Sequence, residues 1–351
     1  MFSHPYIASC FETPKTEAEK YEEAVAYQHR REEISNLPVD SGWGNIPGRL
    51  YKGFWFPEPI LYGVLSLRRN FRPAPSDIFL ATCPKSGTTW LKALAFVICS
   101  RGSNGPQSMI LSRNPHDCYP NIENFYIKPQ VPDLDAMPSP RLMATHTPYS
   151  LLPESVRDEE SPSCCRIIYL CREPKDTLVS TYHFANGISG SDESMISMAE
   201  AVELFCKGHS PYGPVWEHQL EYWAESRRRP DKVLFLKYED LKAEPEANVR
   251  MMARFMGRPI TAEEEADGTV AEIVGLCSFE KLSGLEVNRV GVRMNGSGRA
   301  IKNSLHFRKG KVGDWREHLS PEMADKVDAV TRDKLNGTGL SHCNLEPPAR
   351  P

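Results

Sequence analysis

The sequence lacks a basic excess. Its 46 acidic residues outnumber 42 Lys and Arg, giving a formal charge of −4, whereas broad nucleic-acid binding goes with the opposite balance. No nucleic-acid partner is expected, although a few cations can still converge on one anion inside an acidic chain. Long apolar runs are missing as well. The longest, Ala93–Cys99, is far shorter than the ~20 residues that cross a bilayer. Met1–Ile34 holds no apolar signal core and turns strongly charged after Thr16, so neither a membrane anchor nor a secretory leader is expected. C-x-x-C spacing is absent: the ten cysteines are scattered, apart from Cys164-Cys165, which suggests neither a zinc ribbon nor a thioredoxin-type site. Cys99, Cys165 and Cys171 stand in apolar runs, where a reduced thiol behaves as a small hydrophobe. That pattern points to a reducing, cytoplasmic setting. Internal repeats and low-complexity tracts are also missing.

What is present is an ordinary globular composition, 40% hydrophobic and 25% charged over 351 residues, enough for a large core without staples. Residues 1–49 read as an N-terminal extension, partly mobile, with a charged helical stretch at Lys15–Glu33 and the turn-rich Pro38–Gly48. A packed domain follows over 50–335, and 336–351 reads as a C-terminal tail. Four short apolar runs, Asp77–Thr82, Arg141–Thr145, Arg166–Cys171 and Lys232–Lys237, have the character of buried parallel strands. Helical patterns fall between or after them at Thr89–Cys99, Asp176–Ala185, Ser194–Cys206 and Pro214–Ser226. This alternation predicts one α/β domain, a central parallel sheet flanked by helices. Ligands in such folds bind at the carboxyl ends of the strands.

The first run leads through Thr82-Cys83-Pro84-Lys85-Ser86-Gly87-Thr88-Thr89-Trp90 into a helix. A strand–turn–helix with Gly87 turns backbone N–H groups and a helix N-terminus toward one point, which suits an anion. Lys85 adds charge there, and the hydroxyls of Ser86, Thr88 and Thr89 add donors. The loop is P-loop-like but not G-x-x-x-x-G-K-[ST], because the Lys precedes a lone Gly. On spacing alone, a helix cap beside a surface lysine is the lesser alternative. As a whole the nine residues resemble the 5′-phosphosulfate loop of the cytosolic sulfotransferases, T-Y-P-K-S-G-T-T-W, with Cys83 in place of Tyr.

Further segments resemble the same family in the same order. Cys171-Arg172-Glu173-Pro174-Lys175-Asp176, with Ser180 beyond it, resembles the Arg and Ser that bind the nucleotide 3′-phosphate; Arg172 alone could as well be a rim salt bridge. Phe307-Arg308-Lys309-Gly310-Lys311-Val312-Gly313-Asp314-Trp315 is similar to R-K-G-x-x-G-D-W, a phosphate clamp. Leu236-Lys237-Tyr238-Glu239-Asp240 and Cys277-Ser278-Phe279 also match. The resemblance runs from about Leu50 to Leu319. Ala144-Thr145-His146-Thr147-Pro148-Tyr149 and Tyr182-His183-Phe184-Ala185-Asn186, with the long extension, look most like the plant branch.

This resemblance implies sulfuryl transfer from 3′-phosphoadenosine-5′-phosphosulfate (PAPS) to a hydroxyl of a small lipophilic acceptor such as a phenol, flavonoid or steroid-like alcohol. His146 would be the general base and Lys85 would neutralise the leaving phosphate, with Ser180 restraining Lys85. Tyr238, Ser278, Phe279 and Trp90 would hold the adenine side, and Arg172, Ser180, Arg308, Lys309 and Gly310 the 3′-phosphate. No metal is expected. The acceptor wall is sought among Tyr51, Phe54, Phe56, Tyr126, Tyr149, His183, Phe184 and Trp216, each of which could equally be core. A monomer or weak homodimer is expected, because Trp315–Glu322 lacks the Thr-Val pair of the animal relatives' dimer segment. The alternatives are an ATP-dependent phosphotransferase, which would require Mg²⁺, and a nucleotide-binding protein without catalysis.

Overall fold

The apolar runs become strands because each supplies side chains for both faces of a buried sheet. The computed structural model describes residues 9–40, 42–43, 47–102, 106–158, 165–188, 195–294 and 300–342. Its strands are β1 (Val39–Asp40), β2 (Gly48–Tyr51), β3 (Phe54–Pro57), β4 (Ile78–Thr82), β5 (Leu142–Thr145), β6 (Arg166–Cys171), β7 (Val233–Lys237), β8 (Val292–Met294) and β9 (Ala300–Lys302). The central sheet has the order β5-β4-β6-β7 and is wholly parallel. Along β6, Ile168 and Leu170 enter one core while Ile167, Tyr169 and Cys171 enter the other. This is the period-two alternation of a strand with both faces covered.

Three of the four expected strands start one residue late, and for two of them the reason is electrostatic. Asp77 and Arg141 flank β4 and β5 and form a buried pair, Nε to Oδ1 at 2.6 Å and Nη2 to Oδ2 at 2.7 Å. Their side chains answer each other at the end of the sheet away from the site. The helices follow expectation with shifted ends. Thr88–Ser100 and Val215–Arg228 each run slightly past their predicted ends, and Pro174–Ile188 begins on the proline that suits a first turn. The helix expected from Ser194 starts at Met198, where Ser197 and Glu200 make a capping box; Ser194 lies outside the described residues.

The divisions read at residues 49 and 336 do not coincide with breaks in packing. The helix Glu17–Ser35 buries Arg30 and Ile34, with the Arg30 guanidinium 5.3 Å from the Tyr62 ring centre. Strands β1, β2 and β3 form one antiparallel sheet that passes straight across position 49. At the other end Trp223 donates to the Thr338 carbonyl at 2.9 Å, and Leu340 is buried; residues 343–351 lie outside the described residues.

The sheet positions the site through its connectivity. From β4 the chain moves to the edge at β5, then crosses back to β6 on β4's other side. The strand order therefore reverses at β4, and the crevice outside its carboxyl end is where ligands of open α/β sheets sit.

Candidate active site

Each central strand delivers one functional group to that crevice. Lys85 follows β4, His146 follows β5, Arg172 follows β6 and Tyr238 follows β7. All four line one cavity of about 790 Å³, within the range for sites that hold organic ligands. Ser180, Ser278, Phe279, Arg308, Lys309 and Gly310 line it too, with Gly87, Thr88, Thr89 and Trp90. Ser86 is buried beneath the turn.

The turn after β4 is strained into shape. Lys85 has φ +68° and Gly87 φ +105°, so two of three consecutive residues leave the ordinary right-handed regions. For a lysine this costs on the order of 1–2 kcal/mol, a pattern that gathers at functional sites. Glycine is needed at 87 for a second reason: a Cβ there would stand 2.7 Å from the Tyr238 ring. Thr88 and Thr89 open the helix that runs to Ser100, so their N–H groups have no partner within it. The turn thus aims unpaired donors at the cavity.

Several buried polar atoms around the turn also lack partners among the described residues: Ser86 Oγ, Trp90 Nε1, Arg172 Nε and Arg308 Nε. Buried polar groups are ordinarily satisfied, so a polyanionic, hydrogen-bonding ligand fits the cradle. Trp90 stands edge-on to Tyr238 with ring centres 5.6 Å apart. The Arg172 guanidinium lies 4.7 Å from the Tyr238 ring centre. Gly310 approaches Phe279 so closely that a Cβ would come within 2.5 Å of the ring.

The Arg308-Lys309 loop is not a pair of isolated cations. Asp314 forms ion pairs with Arg308 and, at 2.9 Å, with Lys309, while Lys309 also reaches Glu317 at 2.6 Å. Asp176 fastens the loop to its neighbouring helix by accepting from the N–H groups of Gly313 and Trp315 at 2.8 and 3.0 Å. Arg172 then donates to the Lys311 carbonyl at 2.8 Å. Asp314, Glu317 and His318 come close enough to resemble a metal triad, but the two carboxylates are already engaged by Lys309 and Arg308.

Beside the start of the turn, His146 is fixed in one tautomer. Its Nδ1 lies 2.8 Å from the Thr82 carbonyl oxygen, which can only accept, so Nδ1 carries the proton and Nε2 keeps its lone pair. Burial lowers the imidazole to about 4, against the Thr82 bond, which raises it. It is neutral at physiological pH. Its backbone N–H donates to Glu123 Oε1 at 3.0 Å, and the same oxygen accepts from the Tyr212 hydroxyl at 3.3 Å. Lys85 is lowered to about 7, first by burial and then by Arg172 and Arg308. Its ammonium stands 3.9 Å from the Phe184 ring centre, and among the described residues it has no hydrogen bond to Ser180.

Most of the eight aromatic and histidine residues named above do not line the cavity. Phe184 alone of them lines the cavity. Phe56, Tyr126 and Trp216 are fully buried in core clusters, and Phe54 and Tyr149 nearly so. Tyr51 packs against the cluster of Phe54 and Phe56, and His183 turns to His318, with ring centres 4.7 Å apart. The cavity lining includes instead Tyr212, His116, His306, Leu305, Ile301 and Ile188, with Trp43, Pro47 and Pro57 from the N-terminal side. Tyr212 reaches it because β3 holds its segment: the Tyr212 N–H donates to the Trp55 carbonyl at 2.7 Å. No spacing signal joins these residues. Only the positive φ of Tyr212, +62°, marks it locally, and that is a property of the fold.

Comparison with known proteins agrees with this geometry. The sulfotransferase domain family matches residues 75–339. The chain is similar to cytosolic sulfotransferase 15 of Arabidopsis thaliana, 41% identical across 89% of this chain and 86% of that protein. Among solved structures it is similar to a sulphotransferase of Arabidopsis thaliana, 38% identical with a TM-score of 0.69, covering 90% of this chain and 96% of that one. It is also similar to a mouse sulfotransferase complexed with PAP, 27% identical with a TM-score of 0.64 over 83% of this chain and 94% of that one. The names agree with a cytosolic protein, and no helix among the described residues is long and apolar enough to cross a membrane. The reading of an ATP-dependent phosphotransferase gives way: the chain belongs to the sulfotransferase family, as a PAPS-dependent sulfotransferase of the plant cytosolic kind.

Proposed function

We propose that the cavity transfers the sulfuryl group of PAPS to the hydroxyl of a small organic acceptor, with His146 as general base and Lys85 as the cation that stabilises the leaving phosphate. The observation that carries this reading is the pairing of two opposite chemistries in one cavity: the unprotonated Nε2 of His146, whose ring is held by Thr82, and the Lys85 turn that Thr82 leads into.

PAPS supplies the activated sulfur. The acceptor oxygen bonds to that sulfur as the bridging bond to the 5′-phosphate oxygen breaks, and the hydroxyl proton passes to His146 Nε2. Proton removal by a positioned base contributes about 10²–10⁴ in rate. Lys85 neutralises the oxygen that departs, an arrangement worth about 3–4 kcal/mol when preorganised. Below pH 7 Lys85 holds its charge, and the anionic donor draws it further toward the protonated form.

The donor side is held at its two phosphates. The N–H groups of Thr88 and Thr89, with Ser86 and Lys85, suit the 5′-phosphosulfate. Arg172, Ser180 and the Arg308-Lys309-Gly310 loop suit the 3′-phosphate. Trp90, Tyr238, Ser278 and Phe279 suit the adenine side. PAP bound to the mouse relative supports a PAPS-type donor here. Thr82 and Glu123 act one layer back, fixing the His146 ring and backbone. The protein is expected to act as a monomer or weak homodimer.

The test is an acceptor panel incubated with PAPS and followed by mass spectrometry. The expected result is a sulfated hydroxyl product with one PAP formed per product. No sulfated product from any phenol, flavonoid, steroid-like or aliphatic alcohol would reject the proposal.

A further inference from the structure

A second set of ring nitrogens lies in the same cavity, away from the reacting groups. His116 comes from the turn Pro115–Asp117 and His306 closes the turn Asn303–His306. The chain brings their rings to 4.2 Å between centres, inclined by 34°. His116 Nε2 is taken, lying 2.9 Å from the Thr89 hydroxyl. If the Thr89 hydrogen goes to a donor phosphate, its oxygen accepts from His116, so His116 is tied to the phosphate turn. His306 is different. Its Nε2 is buried and has no hydrogen-bond partner among the described residues. Its ring packs 5.4 Å from Phe184, the ring beneath the Lys85 ammonium.

A buried ring nitrogen without a partner is costly, and folded proteins as a rule supply one. Which kind of partner is decided by charge. Lys85, Lys92 and Arg293 surround both imidazoles, and burial with these cations holds both rings well below the usual imidazole range. The rings are neutral and stand in a positive field. A neutral imidazole can donate or accept, but such a field favours a ligand atom rich in electrons over a ligand hydrogen.

We infer that His306, backed by the adjacent His116, donates a hydrogen bond to a second oxygen on the acceptor, a carbonyl or carboxylate oxygen a short distance from the hydroxyl that is sulfated. The acceptor class is then a hydroxy-ketone or hydroxy-acid in preference to a plain hydrocarbon alcohol. This inference rests on the sulfuryl-transfer reading of the same cavity.

Two nearly isosteric phenols test it: 4-hydroxyphenylacetone and 4-isobutylphenol, whose methylene spacers keep the phenol acidities alike. The readout is the ratio of kcat/KM for the ketone to that for the hydrocarbon, in the wild type and in His306→Phe. The ratio should fall about five- to tenfold in the variant, the weight of one neutral hydrogen bond. An unchanged ratio overturns the inference, since a merely structural role would lower both rates together. His306→Leu repeats the comparison if the Phe variant does not fold. Failure of the wild type to sulfate either phenol or any other member of the acceptor panel with PAPS would instead sink the underlying reading, which separates the two outcomes.

Discussion

The two halves of the cavity are built by different rules. The phosphate-holding part of the proposed donor half consists of short runs of neighbouring residues: Lys85–Trp90, Arg172–Ser180 and Arg308–Gly310. Its geometry is local, because a turn that must cradle phosphates needs particular backbone angles and therefore particular residues in order. The proposed acceptor half gathers Tyr212, His116, Leu305, His306 and Trp43 from four separate segments. No single turn shapes it. A phosphate cradle is read from adjacent residues, whereas an acceptor wall is read only once the chain has folded.

If that division is right, substitutions in the two halves separate cleanly. The largest effect is expected at Lys85. Lys85→Met should lower kcat about 100- to 1000-fold at saturating acceptor, measured by steady-state release of PAP; a smaller loss than tenfold would move the leaving-group role elsewhere. Next comes the 3′-phosphate clamp. Arg308→Ala should weaken PAPS about 10- to 100-fold through loss of a charge-assisted bond. Binding of adenosine 5′-phosphosulfate, which lacks the 3′-phosphate, should change little. Calorimetry with both nucleotides decides this, and an equal loss for both would show that Arg308 works by loop structure alone.

A pH profile sharpens the comparison further. His146 is lowered to about 4 and Lys85 to about 7. The base acts when neutral, so kcat/KM for PAPS should rise as pH climbs through about 4. The lysine binds the donor when charged, so the same parameter should fall as pH climbs through about 7. The acidic limb belongs to the acceptor wall and the alkaline limb to the donor turn. Lys85→Met should erase the alkaline limb only.

The smallest expected effect lies behind the wall. Glu123 is buried, and burial raises its carboxyl above the usual range. Glu123→Gln keeps an oxygen for the His146 N–H and the Tyr212 hydroxyl, and should leave the unfolding temperature nearly unchanged. Glu123→Leu strands both donors and should cost about 1–3 kcal/mol of stability, seen in denaturant unfolding. Equal behaviour of the two variants would remove Glu123 as the support of both groups.

Most of the fold was legible in the sequence. The four strands of the central sheet were found within one residue at each start, because a doubly covered strand writes its burial as an unbroken apolar run. The residues proposed to hold the donor, Ser86 apart, line one cavity, and they were legible as motifs because they stand in short runs. Aromatic side chains proved a poor guide to the acceptor wall. Phe56, Tyr126 and Trp216 are large and apolar, and such residues fill cores far more readily than they line a cavity. His306 and Tyr212 gave no signal, since what makes them cavity residues is contact with Phe184 and with β3 across long stretches of chain. The joint at residue 49 was obscured for a similar reason, because the β1–β2–β3 sheet pairs through backbone groups that any residue carries.

The central claim is that the lone pair of His146 Nε2 removes the acceptor's proton while the donor half stays intact. The most direct measurement is single-turnover transfer of labelled sulfate from saturating PAPS to a phenol by His146→Ala, alongside its affinity for PAP. The account predicts PAP affinity within about twofold of wild type and transfer slowed by about 100-fold or more. Transfer at the wild-type rate, with PAP bound as before, would contradict it.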